Sequence, residues 1–196
     1  MKTLKRLKTA LLATMLIQNL TVQAFAAEGA SYQILSEKSP VSFLAVGKPG
    51  FLRIKGQGAF LQGVAELKDG KLSGKFLVPL AGLKTGISLR DTHMHEKYLE
   101  TKKFPQAELI INPFTLVKDE EKVPFTGMLT IKETSKPING EVQILGLSEQ
   151  ATGKAEFKVV INDFPSIGVP GYLGVTVAEE VQVVVEFEAA VMAAVK

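Results

Sequence analysis

The chain has 196 residues, with 23 Lys and Arg against 20 Asp and Glu, and no cysteine or tryptophan. Four bases (Lys2, Lys5, Arg6 and Lys8) and no acids fall in residues 1–26, so residues 27–196 carry 19 bases against 20 acids, a net −1. The basic pI therefore comes from residues 1–26, and overall charge gives no argument for a nucleic-acid partner or for an anionic membrane. The lack of cysteine rules out disulfides, thiol catalysis and cysteine metal sites.

Residues 1–26 read as a cleaved signal peptide. A basic start is followed by a mostly apolar run, and Ala24 and Ala26 flank Phe25 at the positions a signal peptidase reads. The run is about a dozen residues, against the roughly 20 that a membrane-spanning helix needs, which weighs against a retained anchor. No cysteine follows the site, so a lipoprotein is excluded. Export to a bacterial periplasm is expected, with residues 27–196 forming one domain large enough to bury a core without disulfides.

From there the chain is written in two-residue alternation. Val41, Phe43 and Ala45 open it. Asp69 and Gly70 suit a tight hairpin turn. If Lys68 pairs with Lys71, then Leu67 faces Leu72, Ala65 faces Gly74, Gly63 faces Phe76 and Leu61 faces Val78. Glu66 with Ser73 and Val64 with Lys75 take the other face. Leu109 and Ile111 mark a further strand, followed by residues 127–131 and by residues 138–145 with Ile138, Gly140, Val142 and Ile144 on one side. Ala155, Phe157, Val159 and Ile161 alternate with Glu156, Lys158, Val160 and Asn162, and Val181, Val183, Val185, Phe187 and Ala189 alternate with polar residues, Val184 excepted. About eight antiparallel strands result, each with one dry and one wet face. A sandwich and a closed barrel both fit. Glycine and alanine on the dry faces (Ala45, Gly63, Ala65, Gly74, Gly140, Ala155) either leave a lumen unfilled or ease strand bending.

Residues 84–105 break the pattern and hold both histidines. Ser88 as N-cap with Asp91 at the third helical position predicts a helix of about three turns. Met94 and Tyr98 fall four apart, as do His95 and Leu99, and Phe104 with Pro105 ends the element. His93 and His95 are two apart, so on a helix they diverge and cannot chelate as an i, i+4 pair. Asp91 with either histidine could form an acid–base pair for a hydrolase, but no nucleophile elbow accompanies it. Arg90 and Asp91 can tie the helix to neighbouring backbone, or, with His93, meet a ligand head group.

Thr85 and Gly86, then Arg90, Asp91 and His93, Tyr98 and Leu99, and Phe104, Pro105 and Ala107 resemble the signature of the YceI-like family. Gly127 to Ile131 with Ser135 to Ile138, and Asn162 to Phe164 with Ile167, Gly168 and the final valine strand, are similar to its later segments. Glu133 departs from the family, which usually has glycine in that turn, and His95 is outside the signature. The resemblance implies an all-β, extended, lipocalin-like antiparallel barrel with one short helix. It also implies a periplasmic location and an apolar lumen for polyisoprenoid-like or other long-chain lipids, with homodimers known in the family.

Expected lumen residues are Phe43, Leu61, Ala65, Phe76, Leu109, Ile111, Phe157, Val159, Val183 and Val185. Arg90, Asp91 and His93 are structural or head-group candidates. No catalytic residue, metal or cofactor is assigned, and the partner is a lipid, with transient membrane contact allowed. The rivals are a hydrolase using Asp91 and His93 and a partner-binding or stress-response module using the barrel exterior, with outer residues such as Val64, Val160 and Val184.

Overall fold

The structure is a computed structural model that describes residues 29–48, 50, 52–117, 121–172 and 175–192. The expected signal peptide and its cleavage site lie outside the described residues.

Local chemistry sets the hairpin around residues 68–71. Asp69 (φ 51°) and Gly70 (φ 69°) both adopt the left-handed conformation of a type I′ turn, whose twist matches that of the flanking strands. Strands β4 (Gln62–Lys68) and β5 (Lys71–Pro79) then pair Lys68 with Lys71, Leu67 with Leu72, Ala65 with Gly74 and Gly63 with Phe76, as the alternation predicts. The expected Leu61–Val78 pair is absent. Ladder pairing ends at Gln62–Leu77 because the chain breaks at Leu61, whose N–H turns to the Ser39 carbonyl at 2.8 Å.

That break is one of two matched kinks. Strands β1 (Ser31–Ile34) and β2 (Pro40–Lys48) follow one course along β11 (Val175–Val191), interrupted by a 3-10 turn at Ser36–Lys38. Strands β3 (Arg53–Phe60) and β4 follow the adjacent course, interrupted at Leu61. Ser39 is fully buried at the first kink. Its hydroxyl donates to the Leu35 carbonyl at 2.9 Å and accepts from the Glu188 N–H at 3.1 Å, so the break leaves these groups paired.

The remaining strands are β6 (Gln106–Thr115), β7 (Lys122–Ile131), β8 (Thr134–Leu145), β9 (Gln150–Val160) and the short β10 (Gly171–Tyr172), which pairs with β11. With each kinked pair taken as one course, eight antiparallel strands close a lipocalin-like barrel in the order β1/β2, β3/β4, β5, β6, β7, β8, β9, β11. Between β5 and β6 lie the helix α1 (Ser88–His93) and the loop before it. That loop is tied to β3 by reciprocal backbone bonds between Gln57 and Lys84 (2.9 and 2.7 Å).

The inward glycines serve neighbouring rings. A methyl group at Gly56 would sit 2.0 Å from Phe43 Cε1; at Gly140, 2.6 Å from Phe125 Cζ; at Gly74, 2.6 Å from Phe76 Cζ; at Gly153, 2.4 Å from Phe187 Cζ. Each ring lies where a side chain would otherwise be, the aromatic cover of glycine known from curved sheets. Gly74 and Gly140 thus make room for core packing, not for a lumen. The outward Val64, Val160 and Val184 are half-buried; the exposed outer wall carries instead the cross-strand pair Ile110 and Met128.

At Gly56 the three nearest atoms all belong to the Phe43 ring. Gly56→Ala is therefore expected to destabilise the fold by about 1–3 kcal/mol through overpacking. Adding Phe43→Leu should recover part of that loss. Urea unfolding of the single and double variants checks both outcomes.

Candidate ligand-binding cavity

The helix is held by its own first turn and by the loop before it. It begins at Ser88 with no side-chain cap, so the expected Ser88 cap is not made. Asp91 reaches back instead: its Oδ1 accepts from the Thr85 N–H (2.7 Å) and from the Thr85 hydroxyl. Arg90 closes the unit, its Nε donating to Thr85 Oγ1 (2.7 Å) and its Nη2 to the Thr85 carbonyl (2.9 Å). Partial burial pushes the Asp91 carboxyl up, but the two Thr85 bonds and the Arg90 and His95 charges together hold it below the ordinary carboxylate range. Thr85 follows Lys84, which is bridged to β3, so Arg90 and Asp91 fasten the helix to the barrel through one loop.

After His93 the helix widens into a π turn, Met94–Tyr98, in which the Leu99 N–H bonds to the Met94 carbonyl at 2.8 Å. The regular four-residue spacing expected from the sequence is lost there. His95 turns inward, and its Nε2 donates to the Leu83 carbonyl at 2.8 Å, while Nδ1 is buried without a partner. His93 points into the cavity. The two histidines face different surroundings, and among the described residues no cluster of three metal-ligating side chains occurs.

The barrel interior is divided. One end is filled by rings: Phe125 lies edge-on to Phe157 (centroids 6.5 Å apart) and 6.5 Å from Phe114, leaving a void of about 80 Å³. The other end, under the helix, holds a cavity of about 580 Å³. Its walls come from β2 and β3 (Val41, Phe43, Ala45, Ile54), from β7 (Leu129, Ile131), from β9 and its following turn (Phe157, Val159, Ile161) and from β11 (Val177, Val181, Val183). Met94, Tyr98 and Leu99 roof it, and Thr85, Arg90 and His93 add polar groups at the helix.

Of the expected lumen residues, Phe43, Phe157, Val159 and Val183 line this cavity. Leu61, Ala65, Phe76, Leu109, Ile111 and Val185 line the small void at the ring-filled end, with Phe157 shared between the two. Leu129, Ile131, Leu80, Leu83 and the apolar Met94 and Leu99 were not expected in the lining. The alternation that marks Leu129 and Ile131 as inward was available, but nothing local says which end of a strand faces open space.

Lys132 was also not legible as a structural residue. It sits in the β7–β8 turn with φ 55°, so the left-handed position falls there and not on Glu133, which is how the turn accommodates the missing glycine. Its side chain is only 5% exposed. The ammonium donates to the Ser166 carbonyl (2.6 Å) and the Tyr98 carbonyl (3.3 Å) and pairs with Glu100, whose carboxyl this bond draws below its ordinary range. The Tyr98 hydroxyl in turn donates to the Gly171 carbonyl and accepts from its N–H, both at 3.1 Å. These bonds fix the far end of the helix and the segment before β10 around one side of the cavity.

Two outcomes follow from these anchors. Lys132→Met should cost about 1–3 kcal/mol in urea unfolding, because partly buried acceptors lose their donor. For Asp91, the folded carboxyl releases its proton more readily than the unfolded one, near 3.9. Its contribution is thus complete above about pH 4 and lost as pH falls through the lower folded value. Asp91→Asn should lower Tm at pH 7, with the gap from wild type narrowing below about pH 4; a gap unchanged at pH 3 would contradict the anchor.

Comparison with known proteins agrees with this architecture. A polyisoprenoid binding domain from Saccharophagus degradans, described as implicated in plant cell wall breakdown, superposes with a TM-score of 0.63 at 14% identity, covering 82% of this chain and 98% of that one. BcnA of Burkholderia cenocepacia gives a TM-score of 0.64 at 20% identity, with 79% and 98% covered. The YCEI protein of Campylobacter jejuni gives 0.58 at 20% identity, with 70% and 84% covered. The search of curated proteins finds no match. At these identities the structures share the fold. The family assignment rests on the model of the YceI-like domain, which matches residues 32–189, from β1 to β11. The chain belongs to the YceI-like domain family.

Proposed function

We propose that this protein binds a long-chain apolar or amphiphilic lipid of the polyisoprenoid type in the 580 Å³ cavity, and sequesters or carries it without a covalent step. The observation that carries this reading is the cavity itself: its size lies within the range of ligand sites, and its walls are almost wholly aliphatic and aromatic. The structural neighbour described as a polyisoprenoid binding domain supports the ligand class. Burial of a chain contributes about 0.8 kcal/mol per methylene. Roughly ten buried groups therefore correspond to micromolar binding before association costs. Arg90 and His93, which line the cavity at the helix, would meet the polar head of such a lipid. The protein acts after export, with residues 1–26 removed.

Native mass spectrometry of protein purified from its own host is expected to show a bound long-chain molecule. Ala65→Phe would not probe this site, since Ala65 lines the ring-filled end. Ala45 is buried and lines the main cavity. Ala45→Phe should weaken binding of farnesol, used as a short isoprenoid probe, by about tenfold or more while the barrel remains folded. Unchanged farnesol affinity in a folded Ala45→Phe variant, with no co-purified lipid in the wild type, would overturn the proposal.

A further inference from the structure

Three large aliphatic side chains stand exposed where the cavity meets the surface. Ile87 and Leu89 are 54% and 50% exposed, yet both also line the cavity. Val169 is 57% exposed and adjoins Pro170, another lining residue. The two segments are joined by the paired hydrogen bonds between Tyr98 and Gly171. Single exposed hydrophobics are ordinary on a protein surface. Ile87 and Leu89 differ in being continuous with an apolar interior, beside the Thr85, Arg90 and His93 groups at the helix.

Charge is distributed to match. Residues 84–103 carry five bases (Lys84, Arg90, Lys97, Lys102, Lys103) and three acids (Asp91, Glu96, Glu100) in a chain whose residues 27–196 are close to neutral. Arg90 and Asp91 are both bonded to Thr85, and Glu100 is paired with Lys132, a base outside this count. Lys103 faces Glu133 at 3.8 Å across an exposed pair. Glu96, and Asp163 on the turn after β9, are the exposed acids that remain on these two segments. A surface that combines aliphatic side chains with a local excess of Lys and Arg suits the headgroup region of a bilayer with anionic lipid.

We infer that this mouth is a docking surface for an anionic lipid bilayer, with Ile87, Leu89 and Val169 entering the interface. The docking itself stands on the exposed side chains and the charge. Its purpose rests on the lipid-binding reading above: a long apolar chain is nearly insoluble, and a mouth seated in the interface lets it pass into the cavity without crossing water.

The test is co-sedimentation of the exported protein with phosphatidylcholine vesicles made with and without phosphatidylglycerol, alongside farnesol titration in solution. The wild type should sediment with the anionic vesicles and less with the neutral ones. Val169→Asp and Ile87→Asp should each weaken this about tenfold. Ile110→Asp, on the outer wall, should not, and Val169→Asp should keep its farnesol affinity. No vesicle binding by the wild type, or binding unchanged in folded Val169→Asp, would overturn the inference. So would a wild-type dimer that ignores vesicles and is dissociated by Val169→Asp, because the face would then join two copies of the chain. Vesicle binding lost in Val169→Asp, with no farnesol uptake by the wild type, would uphold docking and reject the lipid-binding reading instead.

Discussion

An eight-stranded barrel is just wide enough that its own side chains can fill it or leave room for one small ligand. What decides the matter here is the placement of phenylalanine rings. Phe76, Phe125 and Phe187 lie over Gly74, Gly140 and Gly153, and Phe125 packs against Phe114 and Phe157. Those rings occupy one end so fully that only a small void remains. At the other end Phe43 alone covers a glycine, Gly56, and the walls are mostly Val, Ile, Leu and Ala, with Phe157 and Tyr98 at the margins. The open volume is a consequence of where aromatic mass is absent, and its position under the helix follows from that.

The helix can roof this volume only if it is held at both ends. It is short, with six α-helical residues followed by a π turn, and such a segment has little stability of its own. Thr85, Arg90 and Asp91 hold the start against a loop bridged to β3. Lys132 and Tyr98 hold the end against the segment before β10. These polar contacts sit at the edge of the apolar space. They can therefore be strong without placing unpaired charge inside it, where it would be costly.

Much of the fold was legible because its determinants are local. Period-two alternation marked the inward faces of β2, β9 and β11, and Asp69 with Gly70 set a hairpin whose register held as far as Gln62. The kinks at Ser39 and Leu61 were not legible, since each depends on a partner from another strand. The candidate site was legible only in part, for the same reason. Inward alternation is identical at both ends of a strand, so Val183 beside the cavity and Val185 beside the rings look alike in sequence. Lys132 next to Glu133 reads as a solvated turn; its burial requires Tyr98 and Ser166, each 34 positions away. The Ser88 cap expected from the sequence is not made. Asp91 directs its carboxylate to the Thr85 N–H and hydroxyl outside the helix, and the first turn begins after Ile87 with no side-chain cap.

The central claim is that the volume between the helix, Phe43, Leu129 and Val183 is the ligand site, and that the phenylalanine-filled end is core. A crystal structure of the protein purified from its host, refined against difference density inside the barrel, tests this most directly. The account predicts continuous chain-like density in that volume, ending toward Arg90 and His93, with the Phe125 and Phe157 rings unmoved. Density running instead past displaced rings into the end lined by Leu61, Ala65 and Phe76, or a collapsed cavity with no density, would contradict it.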